Sequence, residues 1–239
     1  MSRVVSIMQP TYLPWLGYFD LIDQCDIFVL LDDVQFVKKS WQLRNRIKTA
    51  AGPLWLSVPV LSSGRRFQKI SETEIDNTQN WREKHFKSIL HAYANAPYAN
   101  DYCPELQNIY QQEWKKICEI NETLILFIKK AMGIQTPIIR SSNLKCREDM
   151  HERIIDICRQ VDADVLYDAQ GASEIIDPDI LKANGVRIMF QEYQHPLYKQ
   201  QNGAFVPYIS AIDLLLNEGP SSCQIVRSGS KSIHNGGSL

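Results

Sequence analysis

The stretch VVSIMQPTYLPWLGYFDLIDQCDIFVLLDDVQFVKKSWQLRNRIK, residues 4–48, decides the fold class and carries most of the candidate chemistry. Residues 4–8 and 27–31 are short apolar runs rich in β-branched side chains, which indicates two buried strands. A helical pattern of apolar residues connects them. In an open parallel sheet both strands end at the edge where such folds bind ligands. We therefore expect the loop after the first strand to lie near Asp32 and Asp33, which follow the second.

Strands and helices also alternate over the last third of the chain. Apolar runs at 136–140, 165–167 and 186–190 predict three more strands, and helical patterns at 148–161 and from Asp177 onward separate them. Such alternation is typical of parallel βαβ units with right-handed crossovers. The sequence predicts an α/β fold with a mostly parallel, Rossmann-like central sheet.

A helical subdomain is predicted within this fold at about residues 80–132. One helix begins at Asn80, and a longer one runs from about Glu105 to Met132. Asn121 lies on the apolar stripe of the longer helix, where a buried amide needs a partner, either a neighbouring backbone or a ligand. We expect residues 1–219 to form a single α/β domain, followed by a flexible tail at 220–239 that is rich in Ser and Gly.

Composition limits the partners that the chain can have. The formal net charge is −1 over 239 residues, which argues against a binder of nucleic-acid duplexes. Basic residues are concentrated all the same at Lys38, Lys39, Arg44, Arg46 and Lys48. Such a cluster suits an anionic small molecule, such as a nucleotide, a sugar nucleotide or an activated acyl donor. A solvated basic surface is the alternative.

Other sequence features bear on location. The 6 cysteines are scattered, with no CxxC pair and no Cys/His cluster at zinc spacing, so we expect reduced thiols and predict no metal site from them. The amino terminus lacks the basic region and apolar core of a signal peptide. No apolar run approaches the ~20 residues needed to span a bilayer. These features predict a cytoplasmic protein without membrane insertion.

Three motifs carry a resemblance to a known family. They are QPTYLPWLGYF from Gln9, LLDDVQFVKKSWQLRNRI from Leu30, and YKQQNGAFVPYISAIDLLLNEG from Tyr198. Together they resemble the WbqC family of bacterial proteins over nearly the whole chain, to about Gly219. The resemblance implies a place in the synthesis of O-antigen and other surface polysaccharides. It also implies transfer of a glycyl or other aminoacyl group to a sugar.

Carboxylates at the predicted strand ends are the candidate catalytic groups. Asp32 and Asp33 could bind a ribose hydroxyl, hold a divalent metal or act as a base. Aspartates are also common in turns and helix caps, which is the structural alternative. Ser142, after the third strand, would add a polar group at the same edge.

Substrate-binding candidates come from the two segments beside these carboxylates. Aromatic faces suit stacking on a base or a sugar, and an arginine can hold a phosphate or carboxylate with two hydrogen bonds. Core packing or plain surface exposure would explain the same residues. The candidates are Gln9, Tyr12, Trp15, Lys39, Trp41, Arg44 and Asn45.

Residues 191–208 form a long aromatic loop, which we expect to pack over the carboxyl edge of the sheet as a lid. His195, Tyr198 and Gln201 are its candidate substrate-binding residues. A lone histidine is a weak indication of catalysis, so His195 is included because of its place in this loop.

Several common signatures are missing from the sequence. It has no P-loop, GxGxxG, HExxH or GxSxG motif. The acidic pair around Pro178, Asp177 and Asp179, is explained by a helix cap. The opening unit is similar to that of HIGH-type nucleotidylyltransferases, but the loop after its first strand contains no histidine.

Three functions remain open at this point. The first is a transferase that acts on a sugar or sugar-nucleotide precursor of surface polysaccharide. The second is a divergent nucleotidylyltransferase, and the third is a non-catalytic component of a biosynthetic complex. The donor, acceptor, cofactor, metal requirement and oligomeric state are not determined by the sequence.

Overall fold

A computed structural model describes residues 2–231 of the chain. Seven strands are present in this part. They are β1 (Val4–Met8), β2 (Ile27–Leu30), β3 (Arg44–Thr49), β4 (Gly52–Ser57), β5 (Ile138–Arg140), β6 (Val165–Asp168) and β7 (Arg187–Phe190). Five of them form one sheet in the order β5-β2-β1-β6-β7. All four pairings in that sheet are parallel, which confirms the predicted α/β class.

The same residues form eight α-helices. They are α1 (Leu16–Gln24), α2 (Trp81–Ala92), α3 (Ala99–Gln111), α4 (Ile117–Ala131), α5 (Met150–Gln160), α6 (Pro178–Ala183), α7 (Ala211–Glu218) and α8 (Ser222–Ser228). None of the helices in residues 2–231 is long and apolar enough to cross a membrane.

Alternate residues of the strands point to opposite faces of the sheet and pack into two hydrophobic cores, one on each face. Val5 and Leu166 pack on one face with Ile157 of α5. Phe28 and Tyr167 pack on the other face, in a larger core that includes α1, α4 and α7. Burial on both faces explains why the strands are continuous apolar runs in the sequence.

The helical insertion differs from its prediction. Three helices, α2, α3 and α4, replace the two expected, because the chain leaves the helical path at residues 112–116. Within this break the Trp114 indole donates to the Ile109 carbonyl, and the Lys115 carbonyl accepts from Ile75 N–H. Glu119 accepts from Lys116 N–H at 3.1 Å, which caps the start of α4. All three helices share the larger core with α1.

Strands β3 and β4 form a separate antiparallel hairpin. The apolar run at 54–60 predicts a strand that overlaps β4. Its partner β3 is not predicted, because the polar residues Arg44, Asn45 and Arg46 hide the alternation. Gly52, at the end of the tight connection, has a φ of +103°, a conformation that favours glycine.

The expected flexible tail is helical over part of its length. Helix α8 buries Val226 in the larger core, and Arg227 forms a two-bonded ion pair with Asp23 of α1 at 2.6 and 2.7 Å. The sequence pattern missed this helix because it is short and buries few residues. Residues 232–239 of the predicted tail lie outside the described part of the chain.

Candidate functional site

A cavity of about 410 Å³ opens at the carboxyl edge of the sheet. The strand order reverses between β1 and β6, and both strands contribute to the cavity wall, through Gln9 after β1 and Asp168 at the end of β6. Crevices at such a reversal are where open parallel sheets bind their ligands. Other polar residues of the wall are Thr11, Ser40, Gln42, Glu148 and Arg153.

Asp168 is the buried carboxylate of this cavity. Its Oδ1 accepts a hydrogen bond of 2.7 Å from Ala169 N–H, and the side chain is 7% exposed. Burial raises the pKa of Asp168 to about 6, and the bond from Ala169 opposes this only in part. The group can therefore take up or release a proton near neutral pH. Sequence reasoning missed Asp168, although its place at a strand end was a usable signal.

Arg153 brings a positive charge into the same cavity. It lies one turn into α5, a helix whose start is capped by Asp149 through a 3.0 Å bond from Glu152 N–H. Its guanidinium lies 3.9 Å from Asp33, and its Nε donates to the Arg147 carbonyl at 3.1 Å. Asp33 does not line the cavity itself but contacts Arg153, which does. Arg153 is not among the residues predicted from the sequence.

Asp32 is held in a network of hydrogen bonds. Its Oδ1 accepts from Ser142 N–H at 2.9 Å and from the Ser141 hydroxyl at 3.3 Å, and its Oδ2 accepts from the Ser142 hydroxyl at 2.8 Å. The side chain is 1% exposed. These bonds join the ends of β2 and β5. Asp32 and Ser142 therefore stabilise the ends of these strands. The sequence predicts instead that both residues contact the substrate.

The loops after β1 and before β3 form part of the cavity wall, and buried amides hold them together. Gln42 donates to Gln9 Oε1 at 2.7 Å and accepts from Val37 N–H at 3.0 Å. The Asn121 amide donates to the carbonyls of Pro10 and Gln42 at 3.0 and 2.8 Å. Of the two partners expected for Asn121, the neighbouring backbone is the one observed.

A second cavity of about 300 Å³ adjoins the first, since Met8, Thr11 and Trp41 line both. Its wall includes Trp15 and Tyr208, whose ring centroids are 5.6 Å apart. The other residues of its wall are Pro14, Tyr18 and Asn45. The buried Asn45 amide donates to the Leu13 carbonyl at 2.6 Å, which fixes the loop that carries Trp15. The two cavities form one groove. Its first part has mostly apolar walls with a few polar groups, among them Asp168 and Arg153, and its second part is aromatic.

Tyr12 is predicted from the sequence to bind substrate, but the structure places it away from the groove. Its side chain is fully buried in the larger core, where the hydroxyl bonds to His85 Nδ1 at 2.8 Å and to the Tyr110 hydroxyl. His85 and Tyr110 come from α2 and α3 and give the phenol a polar partner inside the core. Tyr12 therefore packs the helical insertion against the loop and does not face the groove.

Two basic candidates lie outside both cavity walls. The Arg44 guanidinium stacks over the Trp55 ring at 4.6 Å from its centroid, on the hairpin. Lys39 is exposed in the turn before Trp41 and has a φ of +60°. Both residues are close in sequence to the groove, but neither lines it.

The loop at 191–208 packs on the aromatic part of the groove and on α7, so its placement differs from the expected lid. His195 stacks on Trp15, and its ring lies 6.3 Å from that of Tyr198. Burial lowers the pKa of His195, whose Nδ1 donates to the Pro196 carbonyl at 3.0 Å. Gln201 donates to Asn217 of α7 at 3.1 Å. Of this loop, only Tyr208 lines the groove.

A buried carboxylate lies beneath that loop. Asp213 of α7 accepts from the Tyr93 hydroxyl at 2.9 Å, and burial raises the pKa of Asp213 to about 6. Lys48 donates to the carbonyls of Gly203 and Ala204 at 3.3 and 2.6 Å, which fastens the loop to β3. Asp213 is therefore a buried carboxylate with a hydrogen-bond partner from α2's C-terminal end, outside the groove wall.

Within 2–231, no group of three or more His, Cys, Asp or Glu side chains is arranged to hold a metal ion. The groove nevertheless offers two carboxylates, Glu148 and Asp168, beside the cation of Arg153. Such a wall can bind an anionic group at one end and accept a proton at the other.

Comparisons with known proteins agree with the three motifs of the sequence. The chain is 34% identical over 227 residues to "Uncharacterized protein Rv1507c" of Mycobacterium tuberculosis, a match that covers 94% of this chain and 98% of that protein. No solved structure matches the chain. A sequence model of the WbqC-like protein family matches residues 9–225. The chain therefore belongs to the WbqC-like protein family.

Proposed function

We propose that this protein is a transferase that modifies a sugar or sugar-nucleotide precursor of bacterial surface polysaccharide, by transfer of an aminoacyl or related acyl group. The observation that carries the proposal is the two-part groove at the strand-order reversal, with an ionisable carboxylate in one part and aromatic rings in the other. Its combined size suits a substrate with a sugar and a planar base.

Asp168 is the proposed general base. An acceptor hydroxyl or amino group would give its proton to the Asp168 carboxylate while its oxygen or nitrogen forms a bond to the acyl carbon of the donor. The bond from that carbon to the leaving group then breaks, and the leaving group keeps the electron pair. A base with a pKa of about 6 is mostly ionised at neutral pH and still accepts a proton readily.

Arg153 is the proposed partner for the anionic part of the substrate. A guanidinium binds phosphate or carboxylate oxygens with paired hydrogen bonds. The hydrogen bond from Arg153 Nε to the Arg147 carbonyl orients the guanidinium, and Asp33, at 3.9 Å, pairs with its charge without accepting a hydrogen bond from it. In this proposal Asp33 is a positioning residue, and Asp32 supports the loop after β5.

Trp15, Trp41 and Tyr208 are the proposed stacking surface for the planar part. The Trp41 ring is 51% exposed and lines both parts of the groove, so a ligand that spans them must pass it. Asn45 and Gln9 supply hydrogen-bonding groups or hold the loops that do.

Binding is tested first, by thermal shift with UDP-glucose, UDP-N-acetylglucosamine, dTDP-glucose and acetyl coenzyme A as probes. A ligand that binds only the folded protein at 100 times its Kd adds about 2.7 kcal/mol of stability. We expect at least one probe to raise the Tm, and Arg153→Met and Trp41→Ala to abolish that rise. Leu197→Ser, at an 81% exposed position, is the matched control and should respond as the wild type does.

Turnover is tested second, by mass spectrometry of the sugar after incubation with acyl donors. Asp168→Asn should bind the probe normally and lose at least a hundredfold in turnover. Binding without turnover in the wild type would favour a non-catalytic component. Release of pyrophosphate from a nucleoside triphosphate would favour a nucleotidylyltransferase.

A further inference from the structure

Two loops meet next to the segment that carries Ser40 and Trp41 of the groove wall, and they present apolar side chains outward. Gln35 pairs with Lys69 in an antiparallel bridge, and Phe36 N–H donates to the Gln68 carbonyl at 2.9 Å. Continuation of that register sets Val37 opposite Phe67. Phe36 points into the core, so its neighbour Val37 points to the other side.

The outward side chains are unusually exposed for their type. Phe67 is 78% exposed and Val37 is 54% exposed. The turn after Val37 leads directly to Trp41, which is 51% exposed and lies 5.7 Å from the ring of Trp55. Large neighbouring apolar side chains that face water mark interaction surfaces.

Basic residues flank these apolar groups. Lys38 and Lys39 follow Val37, and Arg66 precedes Phe67 with its guanidinium 5.6 Å from the ring centroid. None of the three forms an ion pair with any residue in the described range 2–231. These three positive charges are concentrated in one region of a chain whose formal net charge is −1. We name this region the basic apolar surface; it comprises Val37, Lys38, Lys39, Trp41, Trp55, Arg66 and Phe67.

We propose that the basic apolar surface binds the headgroup region of an anionic lipid bilayer. Phe67 and Val37 enter the boundary between headgroups and acyl chains, and Lys38, Lys39 and Arg66 contact lipid phosphates. Tryptophan is favoured at this depth because its ring is apolar and its N–H is polar. The binding is peripheral, since two loop tips and three cations contact the surface and no helix within residues 2–231 is long and apolar enough to span it.

The position of the surface has a consequence for the groove. Ser40 and Trp41 line the cavity beside β1, and the Ser40 hydroxyl donates to the Val37 carbonyl at 2.7 Å. A bilayer held against Val37 is therefore close to the wall of the groove. The lipid contact stands independently of the proposed transferase activity and is tested without any substrate.

The test is co-sedimentation of the full chain with vesicles of phosphatidylcholine containing 30 mol% phosphatidylglycerol. We expect binding that weakens at high salt and is absent with pure phosphatidylcholine. Lys38→Glu with Lys39→Glu should reduce the partition coefficient at least twentyfold, at about fivefold for each lost charge. Val37→Ser with Phe67→Ser should reduce it at least tenfold.

Matched controls carry the same changes elsewhere on the surface. Leu197→Ser alters another exposed apolar residue, and Lys145→Glu with Lys182→Glu alters two other exposed lysines. Both control proteins should bind vesicles as the wild type does. Absence of wild-type binding, or equal loss in the controls, overturns the proposal. Size-exclusion chromatography showing that the surface joins two copies of the chain, with vesicles left unbound, also overturns it.

Discussion

The Ser142 hydroxyl donates to Oδ2 of Asp32 at 2.8 Å, while the Ser142 backbone N–H donates to Oδ1 of the same carboxylate at 2.9 Å. This two-point contact joins the ends of neighbouring strands. It explains why an aspartate and a serine follow β2 and β5 without requiring that either one touch a substrate.

Removal of this carboxylate should destabilise the fold. In Asp32→Ala the two Ser142 donors lose a buried acceptor, so we expect a loss of about 3 kcal/mol in the free energy of unfolding. Urea denaturation measures the change. Asp33→Ala is the comparison, because that side chain is 17% exposed and its loss should cost less than half as much. Equal costs would contradict the structural role of Asp32.

The Tyr12 hydroxyl is the centre of a buried contact between the first loop and the helical insertion. Tyr12→Phe leaves His85 Nδ1 without its hydrogen-bond partner in the core, so we expect a loss of about 1 to 3 kcal/mol in the free energy of unfolding. Probe binding to the remaining folded protein should be unchanged. Tyr208→Phe, at a 52% exposed position, is the control and should leave the stability within about 0.5 kcal/mol of the wild type.

Asn121 holds together two loops of the groove, so its loss should affect both stability and binding. Asn121→Ala leaves the carbonyls of Pro10 and Gln42 without their buried donor. We expect a loss of about 2 kcal/mol in the free energy of unfolding and a weaker thermal shift with the probes. Asn143→Ala, at an exposed position, should change neither quantity. A destabilised Asn121→Ala protein with undiminished probe affinity would separate the two loops from the binding site.

Local patterns in the sequence predicted the α/β fold with its parallel sheet, but they pointed to Asp32 and Asp33 as the site, and neither residue lines the groove. The apolar runs that form β1 and β2 are local features of the sequence, so their pattern can be recognised without knowledge of the fold. The partners of Tyr12 and of Asp168 depend on residues far apart in the chain. Periodicity does not reveal that α2 brings His85 to Tyr12.

The order of the strands in the sheet also could not be predicted from the sequence. Asp168 is selected as a site residue only when β6 is known to lie beside β1, since the reversal of strand order is what opens the cavity there. Arg153 also could not be selected from the sequence. An arginine in a helix is usually solvated, and only the tertiary structure shows that Arg153 approaches Asp33. The pattern missed α8 for a different reason, since a short helix with few buried residues has little periodicity to detect.

The buried carboxylate of Asp168 should make stability depend on pH in the opposite direction to an ion-paired aspartate. Its pKa is about 6 in the folded protein and near 3.8 in the unfolded chain, so between these values the folded state holds more protons. The free energy of unfolding should then fall as the pH rises from about 4 to about 6, by up to about 3 kcal/mol for this group. Asp213, whose pKa is also raised to about 6, should add a similar fall.

Two variants separate these contributions. Asp168→Asn and Asp213→Asn each remove one ionisable group, so each should flatten part of the decline in urea titrations carried out from pH 4 to pH 7. Only Asp168→Asn should also abolish turnover, because Asp213 lies beneath the loop at 191–208, outside the groove wall. In the wild type, turnover should rise with pH to a plateau above about 6, as the base loses its proton. A stability curve that is the same in Asp168→Asn as in the wild type would show that this carboxylate keeps an ordinary pKa. The assignment of Asp168 as a base tuned by burial would then fail.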